Sequence, residues 1–360
     1  MYDIAIIGAG PAGATLARLL GTHYKILLVE KKTLSLPDGQ QGSAKCCGGL
    51  LAPDAQRMLA TMGLGLPRDV LAGPQLFAVR AIDVPNRIER YYQRPYLNID
   101  RGKFDQWLTT LVPPGVDARQ SCFFRSLDIA DDGVTIHLAE SGVLRTVRAG
   151  IVIGADGAFS LLRKQVFPLH PAPKSYVAIQ EWCASPEMLP HFIALFDPEI
   201  TDFYSWIIPK DGRLLIGSAL RPGDQASTQF SLFKTKLRDM GFAFEEKGER
   251  AGALLLRPQR ASQVFTGEGR IAFIGEAAGW ISPSSAEGIS YAFRSAVALA
   301  DALGQGLDGF QKRYHRNTGK LRRNIRRKNC KAQVMYRPLL RKLVMQSGLR
   351  SIDVRLPEQP

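Results

Sequence analysis

Residues 3–20 read D-I-A-I-I-G-A-G-P-A-G-A-T-L-A-R-L-L. An apolar run closes on Gly8, and Ala12, Leu16, Leu19 and Leu20 then fall at helical spacing, so a strand, a turn and a helix follow directly on one another. Lys25–Glu30, K-I-L-L-V-E, is a second apolar run of the kind buried on both faces of a parallel sheet. Gly8, Gly10 and Gly13 therefore form G-x-G-x-x-G inside a βαβ unit. The first glycine permits the tight turn, the second lets the backbone approach a pyrophosphate, and the third lets helix and strand pack closely. With Ala12, they present helix N–H groups and a positive dipole end to phosphate oxygens. Glu30, twenty residues after Gly10, stands where a carboxylate accepts from ribose hydroxyls, with Lys31 beside it. Glycine spacing alone is a weak signal; in register with strand, helix and acid it predicts a dinucleotide site.

The chain has 360 residues, 45% hydrophobic and 22% charged, enough to bury a large core. No run of eighteen apolar residues occurs, which predicts no membrane span. The opening M-Y-D-I-A-I-I-G runs straight into a strand and does not read as a signal peptide. Cys46, Cys47, Cys122, Cys183 and Cys330 are odd in number and scattered, which suits a reducing cytoplasm. β-forming segments interrupt the α/β pattern, among them F-Y-S-W-I-I-P-K-D-G-R-L-L-I-G-S at 203–218, a hairpin expected to turn at Asp211-Gly212. The expected organisation is a discontinuous nucleotide-binding domain over 1–310, built from about 1–70, 100–170 and 262–310. Substrate-domain insertions fall at about 71–99 and 171–261, and a basic helical region at 311–360.

Two later segments favour FAD over a nicotinamide as the resident cofactor. G-A-D-G at 154–157 ends a strand, and G-E-A-A-G at 275–279 ends another before Glu287-Gly288 and a helix from Ile289. An extended flavin draws on distant strand ends and a second helix N-terminus; Asp156, Gly157, Gly275, Glu276, Gly288 and Ile289 are the residues so placed. With R-G-K-F-D-Q-W-L at 101–108, these segments resemble the flavin motifs of the aromatic-hydroxylase-type superfamily. That resemblance implies an α/β fold: a Rossmann-like FAD-binding domain of the GR2 type, an interleaved antiparallel β-sheet substrate domain and a C-terminal helical region. It also implies that Arg101 and Asp156 touch FAD. The superfamily usually has Asp where this chain has Glu276; the longer carboxylate still reaches a ribityl hydroxyl.

Within that superfamily, K-C-C-G-G at 45–49 and Y-S-W-I-I-P at 204–209 resemble the geranylgeranyl reductase family. That family carries Cys-Gly-Gly near the flavin and a Tyr-x-Trp-x-x-Pro strand along a lipid tunnel. C-G-G-L-L-A-P-D-A-Q at 47–56, Y-V-A-I-Q-E-W at 176–182 and G-E-A-A-G-W-I-S-P-S-S-A-E-G-I-S-Y-A at 275–292 resemble its CbrA-type branch, and the likeness spans nearly the whole chain.

Adjacent cysteines form no ordinary disulfide without strain, and no nearby His or second C-x-x-C supports a metal site, so none is expected. Two readings of the pair stay open. One is a small buried thiol pair beside a glycine turn. The other sets Cys47 and Gly48 against the flavin, Cys47 orienting substrate or donating a proton while Lys45 and glycine amides stabilise its thiolate. Tyr204 and Trp206 alternate, as do Gln180 and Trp182, and belong either to a sheet core or to the wall of a lipid channel.

The implied chemistry is reduction of a prenyl or isoprenoid lipid, hydride coming from reduced flavin and a proton from the protein. No second Rossmann unit appears, so NAD(P)H docks transiently or another carrier delivers electrons. A monooxygenase or halogenase is the alternative, since Y-x-W-x-I-P also resembles the W-x-W-x-I-P strand of flavin-dependent halogenases; Lys45 is the weak candidate for their tunnel lysine. A third reading is a flavoprotein that binds lipid or senses redox state without turnover.

The formal charge is +14, and residues 311–360 carry fifteen Lys and Arg against Asp353 and Glu358. That leaves +1 for the preceding 310. Leu321, Ile325, Ala332, Met335, Leu339 and Leu343 recur near helical spacing among these cations, with Pro338 expected to break the run. The segment is either a solvated face of closing helices or, over 311–343, a contact for an anionic membrane surface at the inner face of the membrane. No zinc motif or RNP pattern is present, and no nucleic acid is expected.

Overall fold

The computed structural model describes residues 1–33, 46–187 and 189–355; Lys45 lies outside them. Along the chain run β1 (Tyr2–Ile7), α1 (Pro11–Leu20), β2 (Ile26–Val29), β3 (Leu50–Leu51), α2 (Pro53–Thr61), β4 (Leu76–Asp83), β5 (Ile88–Asn98), α3 (Arg101–Thr110), β6 (Asp117–Arg119), β7 (Cys122–Ala130), β8 (Gly133–Glu140), β9 (Val143–Gly154) and α4 (Leu161–Val166). Then follow β10 (Lys174–Ala184), β11 (Phe192–Phe196), β12 (Ser205–Lys210), β13 (Arg213–Leu220), α5 (Ala226–Asp239), β14 (Glu249–Arg257), β15 (Gly267–Glu268), β16 (Ile271–Phe273), α6 (Ile289–Leu303), α7 (Phe310–Asn317), α8 (Gly319–Met335) and α9 (Pro338–Gln346).

The first sheet runs β15-β16-β9-β1-β2-β6, with β8 and β7 appended to β9. β1 pairs in parallel with β2 and β9, and β9 with β16. Successive residues of β1 serve opposite cores. Ile4 and Ile6 pack with Leu16, Leu20 and Leu299, while Ala5 and Ile7 pack with Val152, Phe273 and Trp280. Two-sided burial explains the unbroken apolar runs at 3–8 and 25–30. Gly8 has φ +107°, and a Cβ on Gly13 would stand 1.8 Å from the Gly8 carbonyl oxygen, so the glycine spacing is a packing requirement as well.

The second sheet runs β14-β10-β13-β12-β11-β4-β5-β3 and is antiparallel except where β11 meets β4. β12 and β13 form the expected hairpin. Asp211 and Gly212 both take left-handed φ values, 50° and 73°, which match the twist of the strands they join. One face buries Ile193, Ile207 and Ile216 under Phe230 and Phe233 of α5. The other face carries Ala194, Trp206 and Ile208 and turns toward the site.

The C-terminal helices do not form one continuous amphipathic face. Leu321, Ile325 and Ala332 of α8 are buried, as their spacing suggests, but Leu339 and Leu343 of α9 are 77% and 63% exposed. Arg341 and Met345 are the buried residues of α9. Arg341 Nε and Nη2 donate to both oxygens of fully buried Asp83 at 2.8 and 2.9 Å, and its Nη1 donates to the Met335 carbonyl. Asp83→Ala strands that buried guanidinium, so denaturant unfolding should show a loss of about 3–5 kcal/mol.

Candidate active site

A single cavity of about 710 Å³ extends from the glycine turn of the first sheet, past the Cys46–Gly49 turn, along the second sheet and out between α8 and α9. Two helices aim their N-termini at it. α1 begins after Gly10 and α6 after Gly288, and neither has a side chain capping its first N–H groups. Gly10, Pro11, Ala12, Gly157, Gly275, Gly288 and Ile289 all line the cavity. A Cβ on Gly10 would meet nothing within 4 Å, so the space before α1 is open, whereas one on Gly275 would stand 2.9 Å from Ala12 Cβ. Open N–H donors at two positive helix ends over one elongated cavity fit a pyrophosphate at one end and an electron-rich ring edge at the other.

Glu276 lines the cavity too, and its Oε1 accepts from Leu256 N–H of β14 at 3.1 Å, so the extra methylene ties the cradle to the second sheet. Gly8 and Gly13 shape the turn without lining the cavity. Glu30 lies in a separate depression, where its carboxylate accepts from the N–H groups of Ala9 (2.8 Å) and Lys32 (3.0 Å), and Lys31 is exposed. Asp156 is likewise absent from the cavity wall: Oδ2 accepts from Leu162 N–H at the start of α4 at 3.4 Å. Its Oδ1 is buried without a partner, and burial raises its pKa.

Beyond the cradle, Cys47 and Arg101 meet. Arg101 opens α3, is 7% exposed, and donates from Nε to Asp105 at 2.8 Å and from Nη1 to Cys47 Sγ at 3.4 Å. Burial opposes its charge, but Asp105 and Cys47 outweigh burial and hold its pKa above the ordinary value. A guanidinium at this distance stabilises a thiolate, the part that sequence reasoning assigns to Lys45. Cys46 also lines the cavity, its Sγ 3.8 Å from the Ala178 carbonyl of β10.

The residue that sets this turn is Lys210, which the sequence analysis reads only as part of a hairpin. It is 3% exposed, and its ammonium donates to the carbonyls of Gly48 (2.8 Å), Gly49 (3.2 Å) and Ile99 (2.8 Å). Burial lowers its pKa to about 8, against the opposing pull of Cys47. The traceable signal is a lone cation closing an otherwise apolar strand.

Tyr204 and Trp206 line the cavity, their ring centroids 5.7 Å apart. Tyr204 precedes β12 and donates to the Ser285 carbonyl at 2.9 Å; burial, then Glu287, pushes its phenol well up. Trp206 lies against Gly217, where a Cβ would come within 2.3 Å of the indole. Its Nε1 has no partner, and neither does Oε1 of Gln180, also on the wall. A buried donor and a buried acceptor left open on the wall fit a bound group with polar edges. Trp182 is not on the wall; Arg213 stacks over it at 4.9 Å. Val79, Ala81, Phe192, Ala194 and Phe196 make the rest apolar, and Arg94 pairs with Glu287 across it at 2.6 Å. Among the described residues no group of three or more His, Cys, Asp or Glu could hold a metal ion.

No protein-family model matches the chain. Protein CbrA of Escherichia coli O6:H1 is 40% identical over 351 residues, covering 98% of this chain and 94% of that protein. A geranylgeranyl bacteriochlorophyll reductase-like protein of Thermoplasma acidophilum superposes with a TM-score of 0.79 at 18% identity over 95% and 90% of the two chains. PqsL of Pseudomonas aeruginosa, described as a probable FAD-dependent monooxygenase, gives 0.69 at 16% over 97% and 99%. The fold is that of FAD-dependent flavoproteins, and the cradle residues fit FAD.

Gly10→Val places its side chain in open space in front of α1, so the protein should purify without flavin absorbance and melt where flavin-stripped wild type does. Because Lys210 loses its proton in the folded state below the unfolded lysine value, its burial penalty is relieved as pH rises from about 8 to 10.5. Over that window the wild type should gain roughly 3 kcal/mol of unfolding free energy relative to Lys210→Met, read by urea titration at each pH.

Proposed function

The chain belongs to the CbrA family, and from that premise we propose that it is an FAD-dependent oxidoreductase that reduces carbon–carbon double bonds of a prenyl or isoprenoid lipid. One observation carries the reading: the cavity of about 710 Å³ joins the flavin cradle to a long apolar wall, with Cys47 lining it beyond the cradle. A cofactor pocket alone would need no such extension.

FAD bound in the cradle would supply hydride to one alkene carbon, with electrons from NAD(P)H or another carrier. The protein does the rest. Trp206, Phe192 and Ala194 hold an apolar chain along the second sheet and exclude water. The Cys47 thiol gives its proton to the second alkene carbon, and the Arg101 guanidinium stabilises the thiolate left behind. Lys210 holds the turn that carries Cys47. Tyr204 keeps its phenolic proton and lies against the chain as a wall.

The monooxygenase or halogenase reading rests on the shared fold. Its candidate tunnel lysine, Lys45, lies outside the described residues, and the ammonium of Lys210 is committed to three carbonyls.

Anaerobic reoxidation of the reduced flavin by a polyprenyl lipid tests the proposal. NAD(P)H consumption with peroxide release and no need for lipid would favour an oxygenase. Lipid binding without any reoxidation would favour a carrier or sensor. Cys47→Ala should keep its flavin while reduction slows roughly tenfold or more, the scale of a lost proton donor. Cys46→Ala should change the rate little, since its sulfur faces Ala178.

A further inference from the structure

α9 is amphipathic in the wrong sense for a helix packed on a water-soluble body. Such a helix turns leucine inward and cations outward. Here Arg341 and Met345 are buried, while Leu339 and Leu343, on the opposite side, are 77% and 63% exposed. The orientation is fixed, because Arg341 grips both oxygens of buried Asp83. The next segment adds Leu349, 63% exposed, and is held in place by Ile352 N–H donating to the Tyr91 carbonyl at 2.8 Å.

We propose that this face docks on an anionic lipid bilayer, Leu339 and Leu343 entering the acyl boundary while the flanking cations meet the headgroups. Three observations select that occupant. Arg337 and Arg350 are exposed beside the leucines, and Lys320, Arg323, Arg326 and Arg327 are exposed on α8, with Asp353 the one acid between 311 and 355. The cavity opens at this same place, since Val344, Met345, Leu349 and Arg350 line it, so an acyl or prenyl chain could pass from bilayer to cavity without crossing water. A second copy of the chain would bring two strongly cationic surfaces together, which like-charge repulsion opposes.

The inference depends on the lipid-substrate reading only for what passes through the mouth; docking is measured without substrate or turnover, so the two fail separately. Wild-type flavoprotein should sediment with vesicles of phosphatidylcholine and phosphatidylglycerol in equal parts. It should sediment poorly with phosphatidylcholine alone, and high salt should weaken the anionic binding. Leu339→Glu/Leu343→Glu, whose side chains are outside the core and the cavity wall, should retain flavin and lose roughly tenfold or more of that binding. Leu343→Trp gives a second readout: its emission should shift to the blue on adding the anionic vesicles. Equal binding by wild type and the double variant, no binding by wild type, or no shift from the tryptophan would each overturn the proposal. So would a wild-type dimer that the double variant turns into monomers.

Discussion

One ammonium group holds the turn that carries Cys47 against the second sheet. Lys210 ends β12 on the second sheet, and its three acceptors lie on the turn ahead of β3 and on the residue after β5. Carbonyl oxygens carry only partial charge, so even three of them offset only part of what burial takes from the cation. This crowding accounts for the twin glycines. A Cβ on Gly49 would stand 2.3 Å from the Lys210 nitrogen, and one on Gly48 would stand 2.7 Å from Ile208 Cδ1. The turn needs glycines because β12 presses on it, and with the turn set, Cys47 meets Arg101 and Cys46 meets β10.

The two halves recognise their ligands by different physics. The nucleotide half works through backbone: uncapped N–H groups at α1 and α6, and glycines that let the backbone come close. Gly275, with φ +56°, abuts Ala12, so the β1–α1 and β16 loops brace each other across the cradle. The second half works through absence. Ala81, Ala178 and Ala194 face the cavity where larger side chains would fill it, and the aromatic rings stand around the space the alanines leave.

That difference decides what the sequence discloses. Backbone recognition needs local glycine spacing, so Gly10, Ala12, Gly275 and Gly288 are legible from short motifs, and the pairing of β1 with β2 follows from two apolar runs. A channel built from alanines leaves no such mark, because hydrophobic periodicity says which face a residue takes and not that the space before it is empty. Long-range polar partners are equally hidden. Arg94 meets Glu287 across 193 residues of sequence and Lys210 meets Gly49 across 161. Glu30, placed by spacing in the ribose site, accepts from the N–H of Ala9 on the glycine turn and from that of Lys32 on its own loop.

The phase of the tail helices is not written in their spacing. Apolar residues from Leu321 to Leu343 recur near helical spacing, which says that they share a face and not what that face meets. Pro338 starts a new helix, and the phase of that helix is set by Asp83, more than 250 residues earlier. Desolvating an ion pair costs several kcal/mol before its attraction and hydrogen bonds return any of it. Asp83 and Arg341 are well satisfied: Asn86 Nδ2 donates to Asp83 Oδ2 at 2.9 Å, and the Met335 carbonyl takes the third guanidinium contact. Turning the helix to bury Leu339 and Leu343 would leave Asp83 buried without its cation. The ion pair therefore fixes the phase of the helix, and with it the outward face of Leu339 and Leu343.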